Sequence, residues 1–289
     1  EAGLLQLAAS RDHAGGRPYL DRVEFVAAPD TAAREPWGAV GCERARPGDG
    51  GLAGAVRARS AATRLGFLLV NPQSELFGDE ASRRLLSQSF DRSVFVRVGL
   101  GGDGEATEDL LPGEMRRIDS RTEGGAMELP GPAGARARIV VSDGEPVLQA
   151  LGERLQVHLY ALGVAADLAV RPGAELGGDI AAGRFDVVVL GWTPPQPADE
   201  ALLLHTRVQC FATSILQPVL GGTFPEAWAP ARLAGVREPA AALLKTHLCI
   251  PLVFFHDLWQ APVEVLHLEP GLAGPGLTLD GAHLEPHAR

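Results

Sequence analysis

Between Arg138 and Leu204 the hydrophobic pattern switches repeatedly between strand and helix periods, and few architectures accept such an order. Ile139-Val140-Val141 reads as a short apolar strand. Ser142-Asp143-Gly144-Glu145-Pro146 then offers polar capping residues and a proline of the kind that open helices. Leu148, Leu151, Leu155, Leu159 and Leu162 recur three and four apart, so they share one helical face, which stops at Gly163. Val164, Ala166, Leu168 and Val170 return to period two, and a further helix is expected near Ala174 to Ala182. Phe185 to Leu190 includes a continuous apolar run suited to a strand covered on both faces. Strands alternating with helices pair in parallel through right-handed crossovers. Gly191, Trp192 and Thr193 therefore leave the carboxyl end of a strand, where ligands of open α/β sheets gather.

Composition narrows the function classes rather than choosing among them. With 289 residues, 46% hydrophobic and 21% charged, the chain is large enough for two lobes with cores of their own. It has no apolar run long enough to span a bilayer. A formal net charge of −10 argues against a nucleic-acid partner, because phosphate affinity needs a basic surface. Cys42, Cys210 and Cys249 show no Cys-x-x-Cys spacing, so neither a zinc knuckle nor a thioredoxin-type motif is present. Buried free thiols are one reading of them, and a Cys210 to Cys249 disulfide is the other. The sequence contains no Gly-x-Ser-x-Gly elbow, Walker phosphate loop, His-Glu-x-x-His motif or nicotinamide fingerprint, so no enzyme and no cofactor is expected. His283 and His287 would face one another for a metal only if the tail were helical, and a solvated tail is expected instead.

Several blocks carry a family resemblance. Glu153-Arg154-Leu155-Gln156-Val157-His158-Leu159 through Leu162-Gly163-Val164, then Arg184-Phe185-Asp186 and Gly191-Trp192, resembles the second lobe of the peptide, dipeptide and nickel class of ABC-transporter solute-binding proteins, extracellular solute-binding family 5. Gly15-Gly16-Arg17-Pro18-Tyr19-Leu20-Asp21-Arg22-Val23-Glu24-Phe25 is similar to that family's entry into a first-lobe strand. Leu68-Leu69-Val70-Asn71, Phe77-Gly78-Asp79, Arg83-Arg84-Leu85-Leu86 and Phe90-Asp91-Arg92 resemble its strand, asparagine, helix and Asp-Arg succession. The order and spacing of these blocks, more than any one of them, make the match specific.

The resemblance implies an α/β, two-lobed periplasmic-binding-protein-like fold with an incomplete first lobe. Residues 1–133 would form the first-lobe remainder, with Gly131-Pro132-Ala133-Gly134 as the passage out of it. Residues 134–250 would form the second lobe, and 251–289 would return to the first lobe and end in a tail. It also implies an extracytoplasmic or periplasmic location, a small peptide or polar ligand, and an ABC permease as partner. The Arg17 to Asp21 block comes far along the family's chains and early in this one, so upstream material is expected to be missing here. A missing amino-terminal segment would also be the route to any membrane association. A partner chain would then complete the first lobe by covering a sheet edge near Val23 to Ala27 or Leu65 to Val70.

Trp192, Thr193 and Asn71 are the candidate ligand-binding residues. Trp192 at a strand end offers a broad apolar face and one N–H donor, or else it seals the lobe's own core. Asn71 either presents its amide to a ligand or satisfies a turn. In peptide-binding relatives a carboxylate shortly after the matching tryptophan holds the peptide amine, whereas this chain has Pro195 at that point. The leading function is that of a solute-binding protein closing on a peptide or similar ligand. The alternative is a degenerate binding-protein fold serving as a structural or assembly subunit.

Overall fold

The computed structural model describes residues 64–110, 134–193, 208, 211–229 and 239–256, together with short strands between residues 4 and 59 and between 258 and 284. The chain divides into two units, one of residues 46–48 and 61–256, the other of residues 1–45, 49–60 and 257–289.

A mixed six-stranded sheet organises the larger unit. Its strands are β5 (Arg64–Val70), β6 (Gly104–Ala106), β7 (Arg136–Ser142), β8 (Ala165–Arg171), β9 (Val187–Trp192) and β10 (Cys249–Phe255), in the order β6-β10-β5-β9-β7-β8. The strands expected to be parallel are so: β7 pairs in parallel with both β8 and β9. Between them run α3 (Pro146–Ala161) and α4 (Gly173–Ala181), with Pro146 in the first turn of α3 where its missing N–H is harmless. Gly163 ends that excursion at φ +80, and Val164 N–H donates to the Leu159 carbonyl at 2.9 Å. That bond closes the helix end in the manner that favours a glycine.

The sheet has a core on each side. On one face Leu148, Leu151, Leu155 and Leu159 of α3 pack on Ile139, Val141, Val187, Val189, Leu68 and Val70. On the other, Leu65, Phe67, Leu69, Val140 and Val188 meet Leu176 of α4 and the helical stretch holding Phe211, Leu216 and Leu220. Each such leucine, fully buried, contributes about 1.5–3 kcal/mol. Strand alternation accounts for the split, since successive residues of β5 face opposite cores.

The sheet's make-up bears on two stretches of the chain. β5 and β10 lie in the same sheet as β7 to β9, so the sheet extends across the expected boundaries at 133/134 and 250/251. The larger unit runs from residue 61 to 256, and the Leu65 to Val70 strand is interior, with β10 on one side and β9 on the other. It therefore offers no edge to a partner chain. The stretch expected to contain the passage between lobes, 111–133, lies outside the described residues.

Helix α1 (Glu80–Ser89) starts directly after the Phe77-Gly78-Asp79 block, with the Asp79 side chain accepting from Ser82 N–H. Its two arginines part ways. Arg84 is exposed, while Arg83 is buried and donates to the carbonyls of Thr246 and Phe77, both at 3.1 Å. Asp91 caps the next turn, α2 (Arg92–Val94). Arg92 turns inward to Pro251 O and the Glu108 carboxylate, both at 2.9 Å, so the Asp-Arg block ties this turn to β10.

In the smaller unit β1 (Leu4–Ala8) pairs antiparallel with β2 (Arg22–Val26), which matches the strand expected at Val23 and Phe25. β11 (Leu258–Pro262) lies between β3 (Glu43–Arg44) and β4 (Ala55–Arg59). His283 falls in a two-residue strand paired with Leu266 rather than in a helix, and His287 lies outside the described residues.

Candidate functional site

The carboxyl ends of β7 and β9 lie at one end of the larger unit's sheet, as their parallel run requires. Because β5 is antiparallel to β9, its first residues stand at the same end, and Leu65 is opposite Trp192. Phe255, the last residue of β10, pairs with Arg64 and completes this row.

Trp192 is 5% exposed and turns to the α4 side of the sheet. Its ring centroid lies 4.5 Å from that of Phe211, which also meets Phe67 edge-on at 5.1 Å. Apolar contact of this extent is packing as well as a platform. Thr193 follows directly and is partly buried, and the next residues, Pro195 among them, lie outside the described residues.

Asn71 stands at the opposite end of the sheet. Val70 pairs with Val187, the first residue of β9, and Trp192 is the last, so about 17 Å of strand separates the two candidates. The Asn71 amide nitrogen donates to the carbonyls of Phe185 at 2.8 Å and Gly183 at 3.2 Å, and its oxygen accepts from Gln73 N–H at 2.9 Å. Those bonds use both of its donors. Beside it, Asp186 accepts from the Ser74 hydroxyl and, at 2.7 Å, from Arg138 N–H, so this end of the sheet is held by polar groups that satisfy one another.

A charged pair accompanies Trp192 at the carboxyl end, on the other face of the sheet. Arg64 Nη2 donates to Glu145 Oε1 at 2.6 Å. Its guanidinium carbon sits 5.3 Å from the Phe255 ring centroid, within reach of the ring's electron-rich face. Gly191 makes room for this, since a Cβ there would lie 3.1 Å from Nη2. The sequence had offered Glu145 only as a residue before a helix and had not singled out Arg64. Nothing local announces that they meet across 81 residues.

Elsewhere the titratable groups serve the fold. Asp179, itself nearly buried, accepts from Arg184 at 2.8 Å and Arg138 at 3.1 Å, and these contacts hold its carboxyl below the usual range. Cys249 is a buried free thiol, and burial pushes its pKa up. Cys210, the other half of the expected bridge, lies outside the described residues. Among the described residues, no three His, Cys, Asp or Glu side chains converge as a metal site would require. No helix among them is long and apolar enough to cross a membrane.

No family model matches the sequence, and no curated protein is similar to it at a significant level. Solved structures are similar in fold. The oligopeptide-binding protein AppA from Bacillus subtilis, in complex with a nonapeptide, superposes with a TM-score of 0.69 at 17% identity, covering 98% of this chain and 64% of its own. The ABC transporter-associated periplasmic binding protein DppA from Helicobacter pylori, in complex with the peptide STSA, gives 0.69 at 16% identity, covering 98% and 60%. NikA from Staphylococcus aureus, in complex with Ni(L-His)2, gives 0.69 at 11%, covering 98% and 66%. The chain thus has the mixed α/β fold of substrate-binding proteins and spans slightly less than two thirds of the length of the first two. The resemblance carried by the sequence blocks and the similarity of fold point to the same class of proteins.

Proposed function

We propose that this chain is an extracytoplasmic solute-binding protein, without catalytic activity, that takes a peptide or similar small polar ligand and passes it to an ABC permease. The observation that carries the reading is the fold similarity to peptide-binding and nickel-binding proteins, which runs over 98% of the chain. Trp192 and Thr193, leaving β9 at its carboxyl end, are the proposed ligand-side residues, because open α/β sheets bind there. Native mass spectrometry of protein isolated without unfolding tests this. A peptide-sized adduct released on denaturation is the expected result, and a bare chain that also takes up nothing from a pool of short peptides speaks against it.

One observation favours a second reading, that of an assembly subunit built on the same fold. Trp192 is packed against Phe211 and the Asn71 amide is committed to backbone carbonyls, so both residues already have structural work. On that reading a partner chain accompanies the protein. Size-exclusion chromatography with light scattering separates the two: a ligand-bearing monomer excludes the subunit reading, and a stoichiometric complex without ligand excludes the transport one.

A further inference from the structure

The larger unit's sheet ends at β8, whose neighbour among the described residues is β7 alone, paired from Ala165 to Arg171 without a bulge. Arg171 O accepts from Asp143 N–H at 2.9 Å, so the backbone groups of Arg171 point to β7, and by alternation those of Ala166, Leu168 and Val170 point outward. The outward carbonyl of Ala166 is held by Gln156 Nε2 at 2.7 Å, and Pro172, just past the strand, has no N–H. Leu168 and Val170 are left as the outer row. Exposed edges are usually blunted by lysine, proline or a bulge, and β8 contains none of these.

The side chains of this edge complement themselves. Ala166 and Leu168 pack on the α3 side and Ala169 on the α4 side, so Asp167 and Arg171 share the α4 face while Val170 lies on the other. When a second β8 lies antiparallel to the first, centred on Ala169, Asp167 of each copy stands opposite Arg171 of the other, and Leu168 stands opposite Val170. Each Leu168–Val170 pair then exchanges two backbone bonds. The next pair would need the Ala166 carbonyl, already held by Gln156, and a Pro172 N–H that does not exist. A shift of two residues either way sets Asp167 against Ala169 or Gly173 and Arg171 against an alanine, so the charges choose the register. Arg171 has room for such a partner, because its contacts with Glu175 and Asp179 are long, 3.8 and 3.4 Å. On the α3 side, Val170 is 44% exposed and Tyr160, one turn along α3 from Gln156, is 79% exposed, so apolar surface lies beside the joint. Two chains of net charge −10 repel at long range, whereas this margin sets Arg136, Arg138, Arg171 and Arg184 against Asp167, Glu175 and Asp179.

We propose that β8 is an interface between two copies of this chain, joined antiparallel about Ala169 into one continuous sheet. The contact is twofold, with the same patch on both copies. It contains this chain alone, unlike the complex with a partner chain considered above, and it requires no ligand. Sedimentation velocity over a concentration series tests it: the wild type should pass from monomer to dimer as concentration rises. Asp167→Arg and Arg171→Asp each set like charges opposite one another and should weaken the dimer about tenfold or more, with the circular dichroism of the wild type retained. Mixed in equal amounts, the two variants bring opposite charges together again, and a mixed dimer should form. A role for either residue within one chain would not produce that rescue. Should a charge variant fail to fold, Val170→Pro removes an outward N–H that β7 does not use and should leave a folded monomer. A wild type that stays monomeric throughout overturns the proposal, as does a mixture of folded charge variants that stays monomeric. Folded variants that dimerise as the wild type does, Val170→Pro included, place the contact on another surface and overturn it too.

Discussion

Trp192 presses its indole against Phe211 at the end of β9, so its removal acts on packing before it acts on any ligand. Trp192→Ala is expected to lower unfolding free energy by about 3–5 kcal/mol, the range for truncating a buried aromatic. Urea titration followed by circular dichroism measures it; a change below about 1 kcal/mol would mean that the ring is not part of the core. His158 poses a different residue-scale question. It is partly buried on α3, its Nε2 2.9 Å from the Ser89 hydroxyl and its ring 4.7 Å from that of Phe90. Burial, with Arg154 adding to it, brings its pKa down to about 4. An unfolded histidine takes up its proton near pH 6.5. Between those values the unfolded chain binds the extra proton, so stability is full above pH 6.5 and falls as the pH drops towards 4, by up to about 3 kcal/mol. His158→Leu should flatten this interval. A wild type equally stable at pH 7 and pH 4.5 would contradict it.

Helix α4 has the sequence Gly-Ala-Glu-Leu-Gly-Gly-Asp-Ile-Ala, and its interior glycines have open space where a Cβ would stand. Neither Gly177 nor Gly178 has a positive φ, so alanine fits both the backbone and the surroundings. Each of Gly177→Ala and Gly178→Ala is expected to stabilise the protein by about 0.5–1 kcal/mol, by helix propensity and reduced freedom of the unfolded chain. Gly66 in β5 is the contrasting case. A Cβ there would lie 2.8 Å from Leu151 Cδ1 and 3.3 Å from Val253 Cγ2, so α3 packs directly onto the backbone of the strand. Gly66→Ala should therefore lower the melting temperature, whereas the α4 substitutions should raise it. Thermal unfolding of the three variants side by side decides the matter, and a rise for Gly66→Ala would show that α3 is free to shift.

At the scale of the whole molecule, the larger unit places β5 between β10 and β9 and covers both faces of the sheet. Backbone amides there open only when the unit unfolds as a whole. Hydrogen exchange read by mass spectrometry should find peptides of β5, β9 and β10 exchanging together and slowest, although they come from distant parts of the chain. Slow exchange confined to residues 134–192, with β5 and β10 exchanging faster as a separate group, would instead place a boundary near residue 134.

The sequence by itself determined the local succession from β7 to β9. Leucine spacing placed α3, Gly163 placed its end, and the apolar run from Phe185 placed β9, because each of these signals is written within a few residues of the element it describes. It also supplied the blocks that resemble binding proteins. Only the tertiary structure decided that β5 and β10 join that sheet, that Asn71 and Trp192 lie at its opposite ends, that Arg83 turns inward, and that Arg64 meets Glu145. An apolar strand suits any buried position, so its residues specify burial and leave the neighbour open. The neighbour is fixed by pairing between segments as distant as residues 64–70 and 249–255, whose loop-closure entropy is offset only once both cores form around them.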